Sequence, residues 1–317
     1  MSELNRDAVL RARETIGGRL HRTPTFSSLA VSERVGANVH LKAELFQRTG
    51  SFKPRGMLAK LASLSDEEKR HGVVTWSAGN AAQGLAWAAA TEGIPCRVFM
   101  WRTANPLKVA ATQGYGAEVD LESEDAASAY DRLHEHVEQA GAVFVSPFDD
   151  PVLQSGHGTI GLEIEEDVPR ATTVVVPVGG GGLIAGIASA LNGNRRVIGV
   201  EPEGAPSLSA ALEAGHTVQI TPKTIADGLG APFTGEGTLA VAQERVDEVV
   251  LVSEAEIEEA FRFLYTRAKL ACEPAGAAAT AALLAGKIAL EPGETVVSVV
   301  SGGNAAPETT SAILAKR

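Results

Sequence analysis

Val174-Val175-Val176-Pro177-Val178-Gly179-Gly180-Gly181-Gly182-Leu183 is the stretch that decides the fold. A β-branched run reads as a buried strand, expected over 173–178; it breaks into four glycines, and an apolar helical segment follows over 183–191. Strand, glycine loop and helix in that order open a parallel α/β unit. The uncharged stretch 171–194 is long enough to span a bilayer, but Pro177, the glycines and Asn194 interrupt it, so strand–loop–helix is the better reading.

Working outward, the same alternation recurs on both sides. Val9, Leu10 and Ile16 have helical spacing and predict a helix over 6–20; Val39 and Leu41 alternate in a short strand. Strands are expected over 73–76, 96–100, 117–121 and 143–145. An alanine-rich helix over 81–91 and helices over 107–113 and 125–140 lie between them. Beyond the glycines come strands over 197–200, 248–252 and 296–300, and helices over 254–270 and 274–284. Parallel strands joined by crossovers explain this alternation. The expected fold class is α/β, with two open, twisted, mostly parallel sheets covered by helices.

Length and composition set the outer bounds. A chain of 317 residues makes one large domain or two ordinary ones. Hydrophobic residues at 44% and charged residues at 21% fit a soluble protein with a real core and exclude disorder. The 33 glycines have no three-residue period, which excludes collagen. A net charge of -11 argues against a nucleic-acid partner, which needs a cationic footprint. Cys96 and Cys272 are the only cysteines, so neither a disulfide framework nor a thiolate metal cluster is expected. The N-terminus, Met1-Ser2-Glu3-Leu4-Asn5-Arg6-Asp7, lacks a basic-then-apolar signal pattern, so a cytoplasmic protein with no membrane partner is expected.

In open α/β sheets, ligands bind beyond the carboxyl ends of the strands. The loops at 77–80, 179–182 and 301–304 each combine glycine with small polar groups. At Gly179-Gly180-Gly181-Gly182, successive bare N–H groups and a helix N-terminus would make a phosphate cradle without side-chain cations. A plain tight turn is the bland alternative. A dinucleotide site is the sharp one, because Gly180, Gly182 and Ala185 fit G-x-G-x-x-A and Glu201 ends the next strand. Thr49-Gly50-Ser51-Phe52-Lys53-Pro54-Arg55-Gly56 is the second element. Pro54 suits the first turn of a helix running to about residue 64, which puts Lys53 at its start. Burial and the helix dipole would both lower the pKa there, giving a neutral amine fit for a Schiff base or for accepting a proton.

Ser51-Phe52-Lys53-Pro54-Arg55-Gly56, Ser77-Ala78-Gly79-Asn80-Ala81-Ala82-Gln83-Gly84, the tetraglycine loop and Ser301-Gly302-Gly303-Asn304 stand in the order found in one family. So do Arg22-Thr23-Pro24, Leu41-Lys42-Ala43-Glu44, Pro147-Phe148-Asp149-Asp150, Gly156-His157-Gly158-Thr159, Ala226-Asp227-Gly228 and Glu273-Pro274-Ala275-Gly276. Over nearly its whole length the chain resembles the serine/threonine dehydratases, which are fold type II (tryptophan-synthase-like) pyridoxal-phosphate enzymes. The resemblance implies a large cofactor-binding domain of residues 1–71 and 149–317, a small domain of 72–148, and a site between them. It implies that Lys53 forms the imine with pyridoxal 5'-phosphate and exchanges protons at Cα. Phe52 would pack on the pyridine ring, and Asn80 would meet the ring hydroxyl. Gly179, Gly180, Gly181, Gly182 and Leu183 would hold the phosphate, and Ser301 would hydrogen-bond the ring nitrogen. A hydroxyl at Ser301 makes the cofactor a weaker electron sink, which suits β-elimination. The loop of Ser77, Ala78, Gly79, Asn80 and Ala81 would take the substrate carboxylate, with Ser77 also suited to cap the following helix.

The implied reaction converts a hydroxyamino acid such as L-threonine or L-serine to a 2-oxo acid and ammonia. Three departures bear on it. Ala78 stands where related racemases carry a second serine, which ranks racemisation below dehydration. Ala81 replaces a usual histidine and His157 a common glutamine. Other lyase substrates, 3-hydroxyaspartate or phenylserine, stay open, although no extra cation is evident for a second carboxylate; Arg55 is expected to stabilise the fold. No metal is expected. Glu201 and Ala205 match a cation site of some relatives, but Ser207 replaces its aspartate. His134 and His136 lie two apart on a helix and read as surface. Only a short helical tail to Arg317 follows Asn304, so no C-terminal regulatory domain is expected, and relatives suggest a homodimer or homotetramer. An NAD-dependent oxidoreductase and a catalytically idle ligand-binding relative are the competing classes.

Overall fold

Among the described residues, ten strands form two separate sheets. In chain order they are β1 (Thr25–Ser27), β2 (Asn38–Ala43), β3 (Val73–Trp76), β4 (Cys96–Trp101), β5 (Glu118–Ser123) and β6 (Val143–Phe144). They continue with β7 (Thr173–Pro177), β8 (Arg196–Pro202), β9 (Glu248–Val252) and β10 (Thr295–Val300). The computed structural model describes residues 4–193 and 195–316; Met1, Ser2, Glu3, Asn194 and Arg317, named in the sequence readings above, lie outside the described residues. One sheet has the order β1-β2-β10-β7-β8-β9 and the other β5-β4-β3-β6. All pairings are parallel except β1 with β2, where a short edge strand turns back on its neighbour.

Fourteen α-helices cover the described sheets. The first seven are α1 (Arg6–Ile16), α2 (Leu29–Val35), α3 (Lys53–Ala62), α4 (Asp66–His71), α5 (Asn80–Glu92), α6 (Pro106–Gly114) and α7 (Ala126–Ala140). The rest are α8 (Pro151–Asp167), α9 (Gly182–Ala190), α10 (Ser207–Ala214), α11 (Glu236–Arg245), α12 (Glu254–Phe263), α13 (Pro274–Leu284) and α14 (Pro307–Ala315). Local signals set many of their ends. Asp125 and Ser128 form a capping box at the start of α7, and Pro54, Pro106, Pro151 and Pro274 occupy first turns.

Three expectations need correction. The first helix stops at Ile16 rather than residue 20, because Gly17 and Gly18 follow and Gly18 takes a left-handed φ of 63°. The helix expected over 254–270 ends as a regular helix at Phe263; a π-turn over Leu264–Ala268 follows and Lys269 turns left-handed at φ 61°. The strand expected over 143–145 is a two-residue pairing with β3.

The helix α8 was not expected at all, and it organises the core. Its face from Leu153 to Ile164 is buried, and it packs on α3 and α9. Close approach is possible because Gly156, Gly158 and Gly161 meet the neighbouring backbones directly. Between α8, α3 and β2 lies a buried ion network. The Arg55 guanidinium grips Glu44 at 2.8 and 2.9 Å and Glu163 at 2.7 and 2.9 Å, and Lys42 reaches Glu163 at 2.7 Å. Arg55, Lys42 and Glu44 are each at most 1% exposed, so the stabilising role read for Arg55 has a physical basis: breaking one partner would strand a buried charge.

Candidate active site

Strand order locates the site. In the larger sheet the chain runs outward from β7 through β8 to β9, while β10 lies on the other side of β7. In the smaller sheet it runs from β3 through β4 to β5, with β6 across from them. Crevices open where connections diverge, at the carboxyl ends of β7 and β10 and of β3 and β6. Both crevices belong to one cleft of about 280 Å³. Phe52, Lys53, residues 77–81, residues 179–183 and Ser301 all line it.

The Lys53 loop is stitched to the end of β10. Ser51 bridges Gly302, and the Phe52 N–H donates to the Ser301 carbonyl at 3.1 Å. Lys53 is the first residue of α3, as Pro54 predicts. Its Nζ donates to the Pro147 carbonyl at 2.6 Å and lies 5.1 Å from the Phe52 ring centroid. Burial lowers its pKa to about 8, although the charge of Glu273 pulls the other way. Behind Phe52, the His157 ring packs edge-on at 4.7 Å. His157 is fully buried, and burial together with the Lys53 charge drives its pKa well below the usual histidine range, so the imidazole is neutral.

The four glycines are demanded twice. A Cβ on Gly180 would land in the Phe148 ring, and one on Gly182 would strike the Phe148 carbonyl. Gly181 also takes φ +85°. With no side chains in the way, the N–H groups of Gly182, Leu183 and Ile184 at the head of α9 lack intrahelical acceptors, an arrangement suited to an anion. Opposite, α5 begins at Asn80 after Gly79. Ser77 does not cap α5, a correction to its expected second role; its hydroxyl accepts the Gly79 N–H at 3.2 Å inside the loop.

Asn80 carries the connection that sequence reading missed. Its Nδ2 donates to Glu273 Oε1 at 2.6 Å, and its Oδ1 accepts from Asn304 Nδ2 at 2.8 Å. Glu273 lines the cleft and is 3% exposed; burial pushes its pKa up to about 7. The sole signal was its place in Glu273-Pro274-Ala275-Gly276, read only as part of a motif. Lys108 was missed too. It comes from α6 to the cleft, where it is ion-paired with Asp227.

Two other candidates resolve differently. Both Glu201 oxygens are engaged at the head of α10, by the Leu208 and Ser209 N–H groups at 2.7 and 2.9 Å and by the Ser207 and Ser209 hydroxyls. That leaves no free carboxylate for a ribose. His134 stacks edge-on with Tyr130 at 4.4 Å and His136 lies 5.6 Å from Phe99, so the two rings diverge.

A depressed-pKa lysine and a bare-peptide anion cradle sharing one cleft define an enzyme built around a phosphate-bearing carbonyl cofactor. The chain belongs to the family of pyridoxal-phosphate dependent enzymes, whose model matches residues 17–302. It is 45% identical over 303 residues to the catabolic L-threonine dehydratase TdcB of Escherichia coli (strain K12), covering 94% of this chain and 92% of that one. The structure of maize serine racemase matches with a TM-score of 0.93 at 35% identity, over 96% of this chain and 95% of that one. That of the T.th. threonine deaminase matches with a TM-score of 0.89 at 38% identity, over 95% and 98%. The resemblance read from the motifs and the two-sheet α/β class agree with these matches, the cofactor is pyridoxal phosphate, and the dinucleotide alternative falls.

Proposed function

We propose that the enzyme converts a β-hydroxyamino acid, L-threonine or L-serine, to a 2-oxo acid and ammonia by β-elimination. The observation that carries this reading is Lys53, a half-buried amine whose pKa desolvation lowers to about 8, in the same cleft as the glycine cradle. At pH 7 about one such lysine in ten is neutral, against far fewer for an exposed one. The names of the threonine-acting relatives, 43–45% identical to this chain, support the substrate class.

Each residue then has a task. The N–H groups of Gly179 to Leu183 would hold the phosphate, and Phe52 would pack on the ring. The Ser301 hydroxyl would serve the ring nitrogen without imposing a charge, and Asn80 would serve the ring hydroxyl. Pyridoxal phosphate supplies the electron sink that acidifies the substrate's Cα proton. Lys53 removes that proton, while the loop of Ser77, Ala78, Gly79, Asn80 and Ala81 holds the substrate carboxylate at the head of α5. Ala78 offers only a methyl group at the face where a racemase would need an acid, which favours elimination over racemisation.

The test is direct. Protein loaded with pyridoxal phosphate should be yellow, borohydride should fix the added mass on Lys53, and Lys53→Ala should abolish ammonia release from serine and threonine. A panel that includes 3-hydroxyaspartate and phenylserine ranks the substrates. Racemised product with no 2-oxo acid would refute the elimination.

The same reading assigns residues 1–71 and 149–317 to a large cofactor-binding domain and 72–148 to a small one. It also takes the enzyme as a cytoplasmic homodimer or homotetramer. Two free thiols, Cys96 and Cys272, support the reducing compartment, and among the described residues no helix is long and apolar enough to cross a membrane. Exposed Phe26, Leu29 and Phe46, with the two rings 6.2 Å apart, form an apolar patch that suits a second copy. Light scattering fixes the number.

A further inference from the structure

We propose that Glu273 and Asn304 are positioning residues that lock the Asn80 side-chain amide in one orientation, so that it presents an N–H to the cofactor's ring hydroxyl oxygen. This rests on the reading that Asn80 faces that oxygen.

An amide side chain can be turned either way, and only its neighbours decide. Here the decision starts at a group with no choice. The Thr49 carbonyl can only accept, and Asn304 Nδ2 gives it one hydrogen at 2.7 Å. The second Nδ2 hydrogen of Asn304 goes to Asn80 Oδ1 at 2.8 Å. Asn80 must therefore offer its oxygen to Asn304 and its nitrogen to Glu273, whose Oε1 accepts at 2.6 Å. A flipped Asn80 would set two NH₂ groups against each other and an oxygen against a carboxylate. One Nδ2 hydrogen of Asn80 remains for the cleft, and its partner there must be an acceptor.

Both anchors are held at a cost to local structure. Thr49 is buried at a left-handed φ of 60°, a strained setting for a β-branched residue. Glu273 sits at the N-cap of α13 yet makes no cap hydrogen bond with its side chain; the carboxylate turns to Asn80 instead. A Cβ at position 302 would overlap Glu273 Oε1, so a larger residue there would displace the carboxylate.

The lock is sensitive to protonation. Burial and the negative charge of Asp227 raise the Glu273 pKa to about 7, opposed by Lys108 and by hydrogen bonds from Asn80 and the Asn304 backbone. Lys53 and Cys272 are the other titratable groups that feel its charge. Above pH 7 the ionised carboxylate makes the charge-assisted bond to Asn80; below, the neutral acid holds the amide more weakly. The lock tightens as pH rises through about 7.

The experiment follows the holoenzyme's absorbance between about pH 6 and about pH 8. In wild type the ratio of the two cofactor bands should shift with a midpoint near pH 7. Glu273→Gln keeps a neutral acceptor and should bind pyridoxal phosphate but lose that shift. Glu273→Ala should weaken cofactor binding about tenfold, in line with the loss of one hydrogen bond to a charged group. A shift that persists in Glu273→Gln, or cofactor binding unchanged in Glu273→Ala, overturns the proposal. Circular dichroism checks the folding of the alanine variant, and if it does not fold the glutamine variant decides alone. Failure of the substrate reading looks different: a wild-type shift that vanishes in Glu273→Gln, with no 2-oxo acid from serine or threonine, supports the lock and removes only the substrate.

Discussion

Burial holds the Lys53 amine near pH 8 in the folded chain, against 10.5 for a free lysine side chain. The cost of that placement has a pH signature. Between about 8 and 10.5 the unfolded chain binds the extra proton, so stability rises with pH across that window; below 8 both states are charged and the full penalty stands. Lys53→Met should therefore stabilise the cofactor-free protein at pH 7 by roughly 1–3 kcal/mol, with the gain shrinking toward pH 10.5. Thermal melts across that range check it, and a lower Tm at pH 7 contradicts it. Lys53 was legible from sequence because Pro54 fixes the helix start beside it. Glu273 was not, since its place in a motif names no partner, and only the fold reveals that it turns to Asn80.

Among the elements, the α8–α9 contact sets the position of the glycine loop proposed to hold the phosphate, because that loop leads into the head of α9. A Cβ on Gly186 would strike the Gln154 carbonyl, and one on Gly158 would strike the Gly186 carbonyl. Backbone cannot give way as a flexible side chain can. Gly186→Ala should therefore destabilise the enzyme by about 1–3 kcal/mol in urea unfolding and weaken pyridoxal phosphate binding together with it. Intact affinity would mean that the helix does not position the loop. Glycines on the α8 side of this contact hid that helix from the sequence reading: Gly156, Gly158 and Gly161 lower helix propensity, and the compensation comes from burial between α3 and α9. Local preference lost to tertiary packing there, whereas Asp125 with Ser128 and the alanines of α5 kept both in agreement.

Across the whole molecule, one ion pair joins the two sheets' helices at the mouth of the cleft. Lys108 comes from α6 over the smaller sheet, and Asp227 from the segment before α11 on the larger one. The Lys108 side chain is 14% exposed and that of Asp227 60%, so Asp227 is the partner that can leave. Asp227→Asn should free Lys108 for a substrate's second carboxylate, lowering the KM for 3-hydroxyaspartate several-fold relative to threonine, a preference of about 1 kcal/mol typical of a part-exposed pair. An unchanged ratio would show that Lys108 does not reach the substrate.

By itself the sequence determined the alternation of strands and helices, the lysine at a helix start and the glycine loop after a buried strand. Those features depend on near neighbours in the chain, where periodicity, proline and glycine act directly. Only the tertiary structure decided the strand order, which sets the cleft at two points of divergence, and the partners that converge there. Asn80 meets Glu273 across 193 positions and Asn304 across 224, and Lys108 meets Asp227 across 119. Contacts of that range have no local signature, because they come into being only when packing of the hydrophobic core brings distant loops to the same crevice.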